Sequence, residues 1–252
     1  MGRDRTYTRS VQRGTLALHP NALPQRHENS KEENKIVIKL YGFPLSNYYN
    51  TIKLCMLEKG IEFEEVANPP SQEAGYLSKS PMGKVPCIET KDGFLAESSA
   101  IMDFLEESHP QNPLFPTDTY ARAKVREMNK VLELYIELAA RRHLGTVFFG
   151  APSNEAAVTE VRPLIEQGLD ALKGLASFDP HFAGDKLTYA DIFGYYTFGL
   201  ANMLCQATYQ WDIVAEVPGL GASLEKVASR ETTKSVDAAM QVAMAAFQAQ
   251  QK

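Results

Sequence analysis

The sequence predicts an α/β half with a small mixed sheet followed by an all-helical half, and three observations carry that prediction. Short β-branched runs alternate with helical stretches up to about residue 109, three prolines fall between Pro110 and Pro116, and the later apolar residues recur in steps of three and four. The first run, Ile36-Val37-Ile38-Lys39-Leu40-Tyr41, reads as a strand broken by Gly42-Phe43-Pro44. Ile52, Cys55, Met56 and Lys59 then lie at helical spacing before Gly60, and Ile61 to Val66 alternates as a half-buried strand does. A turn-rich stretch from Asn68 to Gly83 leads to Val85–Thr90 and Phe94–Ala96, which the turn Lys91-Asp92-Gly93 joins as a hairpin. Ile101, Phe104 and Leu105 mark the core face of a helix ending near His109-Pro110. The expected division is an α/β domain over 35–109, a stiff connector over 110–118 and a helical domain over 119–252.

In the helical part, Val125, Met128, Leu132, Ile136 and Ala139 form one apolar stripe, and Val158, Val161, Ile165, Leu169 and Leu172 form another. Thr188-Tyr189-Ala190-Asp191 is a capping-box variant, with a hydroxyl at the N-cap and a carboxylate three residues on, and it starts a third, largely buried helix. That placement makes Thr188 and Asp191 structural. Leu224–Val227 and Val236–Phe247 read as shorter closing helices.

Composition narrows the class of function. The formal net charge of −5 disfavours nucleic acid or an anionic membrane as main partner, and a small ligand or a protein fits better. Cys55, Cys87 and Cys205 are an odd number without metal-binding spacing, so neither a disulfide framework nor a metal site is expected, and the compartment is expected to be reducing, hence cytoplasmic. No apolar run reaches the roughly 18 residues of a membrane helix. Residues 1–34, with Arg3, Arg5, Arg9, Arg13 and Arg26, read as a disordered leader, either a transit peptide or vector-derived or upstream sequence of the same look.

Four local motifs then carry a resemblance: Leu40-Tyr41-Gly42 with Ser46, the run Ser80-Pro81-Met82-Gly83-Lys84-Val85-Pro86, the pair Glu97-Ser98, and Asp185 to Asp191. In this order and spacing, over roughly residues 36 to 230, the chain resembles the cytosolic glutathione transferases, with a thioredoxin-like N-terminal domain and an all-α C-terminal domain. Ser46 at the mouth of the first helix resembles the serine-type classes, bacterial or phi-, tau- or theta-like, although Asn47 and Thr51 depart from their usual proline or threonine and arginine. The resemblance implies glutathione as co-substrate, a homodimer, and a detoxifying transferase.

It also implies roles for particular residues. Val85, before a cis Pro86, would pair its backbone with the cysteinyl part of glutathione, as in strand addition; a trans proline starting an edge strand is the plainer reading. Ser98, at a helix start, would meet the γ-glutamyl carboxylate and Glu97 the α-ammonium, unless Ser98 or Ser99 is only a cap. Lys84 is a candidate for the glycyl carboxylate. Ser46 is the candidate catalytic residue, donating to the thiolate sulfur, with a bare N-cap role as the alternative. Phe43, Tyr48, Tyr49, Tyr135, His143, Phe148 and Phe149 are candidate walls for a second, electrophilic substrate, and Arg141, Arg142 and His143 form a basic cluster that either favours an anion or is a solvated helix end. Cys55, Cys87 and Cys205 read as core rather than nucleophiles. A non-catalytic adaptor and a glutathione-dependent peroxidase or reductase are the competing functions; Ser46 counts against disulfide exchange.

Overall fold

A computed structural model describes residues 37–250; the expected leader lies outside the described residues. The first half is the thioredoxin-like arrangement. β1 (Ile38–Gly42) leads into α1 (Asn47–Lys59) and β2 (Phe63–Ala67); after a short α2 (Ala74–Leu77) come β3 (Cys87–Thr90), β4 (Gly93–Ala96) and α3 (Ser98–Ser108). The sheet order is β2-β1-β3-β4, with β1 parallel to β2 and antiparallel to β3. Leu40 on central β1 pairs with Glu65 on β2 and Ile88 on β3, and Leu40 and Ile88 are fully buried. α1 stops at Gly60, whose φ of 69° takes the left-handed cap that glycine accepts without a Cβ penalty. The connector is tied down: buried Glu106 accepts from the amides of Leu114 and Phe115 and pairs with buried Lys59 at 2.6 Å.

The second half is helical throughout. α4 (Thr119–Val131) continues into a π-helical stretch (Leu132–Glu137), α5 (Leu138–Ala140), a 3₁₀ turn (Arg141–His143) and α6 (Leu144–Phe149); α7 (Glu155–Leu175), α8 (Tyr189–Tyr209), α9 (Leu220–Ala228) and α10 (Glu231–Ala249) follow. The first expected stripe is buried as a set. In the second, Val158 is only half-buried and Ala157 takes its place, so the buried face of α7 begins one residue earlier. α10 runs 19 residues rather than forming a short closing helix. Its composition explains the difference: Ala, Met, Gln and Val without an internal glycine or proline support a long helix even where only Thr233 and Val236 are fully buried.

The capping motif works as its residue types require. Asp191, fully buried, accepts from the Thr188 amide and hydroxyl at 2.8 and 2.7 Å and from the Phe182 amide at 2.8 Å. It thereby closes the α8 N-terminus and fastens the loop before it. One continuous core joins both halves, with α1 packed against α8 and α10. Among the described residues no helix is long and apolar enough to cross a membrane.

Candidate active site

A cleft of about 720 Å³ opens between the sheet half and the helices. Its floor comes from the first half: Phe43, Ser46, Asn47 and Tyr48 around the start of α1, Lys84, Val85 and Pro86 before β3, and Glu97 and Ser98 at the start of α3. Facing them are Glu133, Leu138, Arg141, Leu144, Phe148 and Phe149 from the long α4–α6 run, Leu200 from α8, and Met244 and Phe247 from α10.

Three backbone features set the floor. Ser46 is the N-cap of α1, in extended conformation, with its Oγ accepting from the Tyr49 amide at 3.2 Å. The capping bond uses an oxygen lone pair and leaves the hydroxyl proton to donate elsewhere. The Val85–Pro86 bond is cis, and Val85 lies just before the β3 ladder begins at Cys87. Ser80 Oγ and the Tyr76 hydroxyl both donate to the Lys84 carbonyl, at 2.8 and 3.0 Å, fixing the approach to that bond. Glu97 has φ 69° and ψ 119°, a conformation that costs a side chain of its kind on the order of 1–3 kcal/mol. It is the N-cap of α3 without a side-chain capping bond, so Ser98 is the first helical residue and neither Ser98 nor Ser99 is the cap. The strained turn leaves the α3 N-terminus, with its free first-turn amides, at the edge of the cleft.

Of the seven aromatic or imidazole residues expected as walls, Phe43, Tyr48, Phe148 and Phe149 line the cleft and three do not. Tyr49 is 2% exposed and turns the other way, onto β1: a Cβ on Gly42 would fall 2.2 Å from the Tyr49 ring, and the Tyr49 hydroxyl bonds Glu65 on β2. Tyr135 rests beside α7, where the bare Gly168 leaves room for its backbone and Cβ. His143 is buried against α8, its ring edge-on to Tyr209 and its Nε2 2.8 Å from the Tyr209 hydroxyl. Since that hydroxyl donates to the Val158 carbonyl, His143 Nε2–H is the donor to Tyr209. Burial, helped by Arg142, lowers the His143 pKa and keeps the ring neutral.

The cysteines are core. All three are buried; burial pushes the Cys55 and Cys87 thiols up and Cys205 to about 12.

On the helical side, sequence reasoning found Phe148 and Phe149 and noted Arg141, but missed Glu133, Leu138, Leu144, Leu200, Met244 and Phe247. The π-helical stretch is the reason its lining residues fall where they do: the Leu138 amide bonds back to the Glu133 carbonyl, five residues earlier, so both residues meet the cleft although a 3.6-residue period would separate them. Beneath this surface Glu137, 1% exposed, accepts from Asn47 Nδ2 at 3.0 Å, from the Tyr48 hydroxyl at 2.7 Å and from Arg141 Nε at 2.8 Å. Burial and then Glu137 raise the Tyr48 pKa, which keeps the phenol protonated as a donor. Thr51 donates to the Asn47 carbonyl at 2.9 Å within α1.

Comparison with known proteins agrees with this geometry. A family model for the glutathione S-transferase N-terminal domain matches residues 40–113, and one for the glutathione S-transferase C-terminal domain matches residues 137–231. The chain is 38% identical over 211 residues to a glutathione S-transferase of Pseudomonas putida, covering 84% of this chain and 96% of that protein. It is 29% identical over 169 residues to a maleylacetoacetate isomerase of Dictyostelium discoideum, covering 64% and 76%. Among solved structures, a maleyl pyruvate isomerase described as a bacterial zeta-class glutathione S-transferase superposes with a TM-score of 0.64 at 25% identity, covering 79% of this chain and 95% of that one. With both domain models matched and a relative 38% identical across 84% of it, the chain belongs to the glutathione S-transferase family.

Proposed function

We propose that the cleft binds glutathione and that the protein conjugates its thiolate to a small hydrophobic electrophile. The observation that carries this reading is that Ser46, the Val85–Pro86 backbone and Glu97–Ser98 line one cleft. In it the tripeptide lies across the floor, with its cysteinyl backbone against Val85, its glutamyl carboxylate at Ser98 and the α3 amides, its ammonium at Glu97 and its glycyl carboxylate toward Lys84. Ser46 donates to the sulfur. A thiol of pKa about 8.5 is only a few per cent ionised at neutral pH. Lowering it by about two units takes about 2.7 kcal/mol of preference for the thiolate. One charge-assisted hydrogen bond of about 1.5–3 kcal/mol, with about 0.3–1 from the α1 N-terminus, is of that size. The thiol proton leaves to water. The sulfur lone pair then forms the S–C bond, and either a leaving group departs with its electron pair or the resulting carbanion takes a proton from water.

The apolar helical wall supports a hydrophobic second substrate. A second reading, isomerisation of a maleyl-type double bond, is favoured by the isomerase relatives. It uses the same thiolate: sulfur adds to the alkene, the former double bond rotates, and elimination returns the thiolate. Family membership also supports a cytoplasmic homodimer, checked by sedimentation and fractionation.

The test begins with calorimetric titration of glutathione. Aryl halides, epoxides, unsaturated carbonyls, a peroxide and a maleyl acid then serve as substrates for wild type and Ser46→Ala. Conjugation consumes one glutathione per turnover and isomerisation consumes none. Absence of both glutathione binding and turnover overturns the proposal and leaves the non-catalytic adaptor in its place; binding without turnover of any substrate removes the conjugation reading.

A further inference from the structure

We infer that Glu137 and Arg141 are positioning residues for the thiolate site, acting through Asn47 to hold the start of α1 and the Ser46 hydroxyl in line with the sulfur. This rests on the reading of Ser46 and glutathione given above.

Glu137 and Arg141 come from the helical half, some 90 residues away in sequence, yet they engage the first two helical residues of α1. Asn47 is gripped at both ends of its amide: its Nδ2 donates to Glu137 Oε1 at 3.0 Å and its Oδ1 accepts from Arg141 Nη2 at 2.7 Å. Tyr48 is held by its hydroxyl on Glu137 Oε2, and the Arg141 guanidinium lies over its ring, 5.4 Å from the centroid. Arg141 closes the circle on Glu137, four residues earlier, through Nε at 2.8 Å and through Nη2. The residue before this anchored pair is Ser46.

The choice of residues fits orientation better than general stability. Glu137 is buried and Arg141 partly exposed, a pairing that contributes little net stability, whereas a planar guanidinium and a carboxylate fix direction at several donors at once. Opposite charges on Glu137 and Arg141 also leave the site's net charge unaltered. The other charged groups lining the cleft are Lys84 and Glu97 from the floor and Glu133 from the helical side. The π-helical stretch ends on Glu137, at the contact itself. A residue that only pinned α1 to the helical half would need no two-ended grip on Asn47.

The experiment is a double-mutant cycle read by the pKa of the bound glutathione thiol, followed through its ultraviolet thiolate absorbance, together with kcat and KM. Asn47→Ala changes no charge and tests the grip; Glu137→Gln tests its anchor. Asn47→Ala is expected to raise the bound thiol pKa by about half a unit or more. Glu137→Gln also removes a negative charge, which by itself favours the thiolate, so its readout is kcat; each is expected to lower kcat about threefold or more with glutathione KM within about twofold. In a Ser46→Ala background neither is expected to raise the thiol pKa or lower kcat further, because each acts through that hydroxyl. Equal effects in both backgrounds, or no effect of Asn47→Ala on thiol pKa and kcat, overturn the inference. If Glu137→Gln does not fold, Asn47→Ala alone decides. If wild type binds glutathione and Ser46→Ala raises the thiol pKa while Asn47→Ala does not, this inference fails and the functional reading stands. If wild type does not bind glutathione, both fall.

Discussion

On the floor of the cleft the polar groups are set by backbone: an N-cap at Ser46, a cis bond at Val85–Pro86, and a strained turn at Glu97. Across from it the surface is side chains, chiefly Leu138, Leu144, Phe149, Leu200, Met244 and Phe247, brought together from three separate stretches of helix. The floor has little freedom to vary, since its geometry belongs to the ends of strands and helices. The wall is free to vary in shape, since any residue of suitable size on those helices serves. On the proposed reading, the floor holds glutathione and the side chains of the wall set which electrophile fits.

The sharpest way to break the comparison is to remove what holds the wall up while leaving the floor's own residues intact. Asp191→Ala leaves the Thr188 amide, the Thr188 hydroxyl and the Phe182 amide without their acceptor in a fully buried site. Each unsatisfied buried donor costs about 1–3 kcal/mol, so a loss of about 3 kcal/mol or more is expected in denaturant unfolding. The fraction that remains folded is expected to bind glutathione as wild type does. Equal stability with lost activity would instead place Asp191 in the chemistry.

Next in size is the proposed donor on the floor. If Ser46 donates to the thiolate as proposed, Ser46→Ala removes one charge-assisted donor, and the bound thiol pKa is expected to rise by about one to two units. With the thiolate as the reacting form, activity on the acid side falls about 10- to 100-fold and the pH–rate profile moves to higher pH. Loss of the cap bond to Tyr49 costs about 1 kcal/mol of stability as well. Phe247→Ala is the matching change on the wall. Phe247 meets Phe149 edge-on at 5.8 Å, and removing the ring is expected to raise KM for a hydrophobic electrophile up to about tenfold, equivalent to about 1.4 kcal/mol. Glutathione affinity is expected to stay unchanged. A change in both affinities would show that the two sides are not independent.

The same division explains what the sequence makes legible. The cis Val85–Pro86 bond follows from the family resemblance and not from the local residues, which read more plainly as trans, whereas Ser46, Glu97–Ser98 and Thr188–Asp191 are local signals, because caps and helix starts are specified within a few residues. The strand and helix order follows from local periodicity for the same reason. Arg141 is visible only as part of a basic cluster and Glu137 not at all, since their pairing lies in a contact with Asn47 about 90 positions away, and nothing in Leu132–Glu137 announces a π-helical stretch. Met244 and Phe247 lie inside the expected helix Val236–Phe247, but nothing local says that its face meets the cleft. Tyr49, Tyr135 and His143 mislead in a single way: an aromatic or imidazole ring at helical spacing gives the period of a face but not which neighbour that face meets. Tyr49 meets bare Gly42, Tyr135 meets bare Gly168, and His143 meets Tyr209.

The smallest effect is expected where the two sides are joined. Glu58, near the end of the helix that Ser46 starts, accepts from Arg230 Nε at 2.7 Å and from Thr232, at the beginning of the helix that carries Met244 and Phe247. Partial burial pushes the Glu58 carboxyl up, but hydrogen bonds from Arg230 and Thr232 outweigh it and hold the pKa below the usual carboxylate value. A carboxyl lowered on folding contributes stability that is complete above its unfolded pKa and lost as pH falls through the folded one. Arg230 is 40% exposed, so the pair is screened and worth about 0.5–1 kcal/mol. Arg230→Ala is therefore expected to lower stability by that amount at neutral pH, and the difference from wild type should shrink as the medium is acidified through the carboxylate range. Because the link reaches α10 before it reaches the cleft, KM for the electrophile should rise slightly while glutathione affinity holds. A deficit that did not shrink on acidification would mean that Arg230 stabilises the fold by a route other than the Glu58 carboxylate.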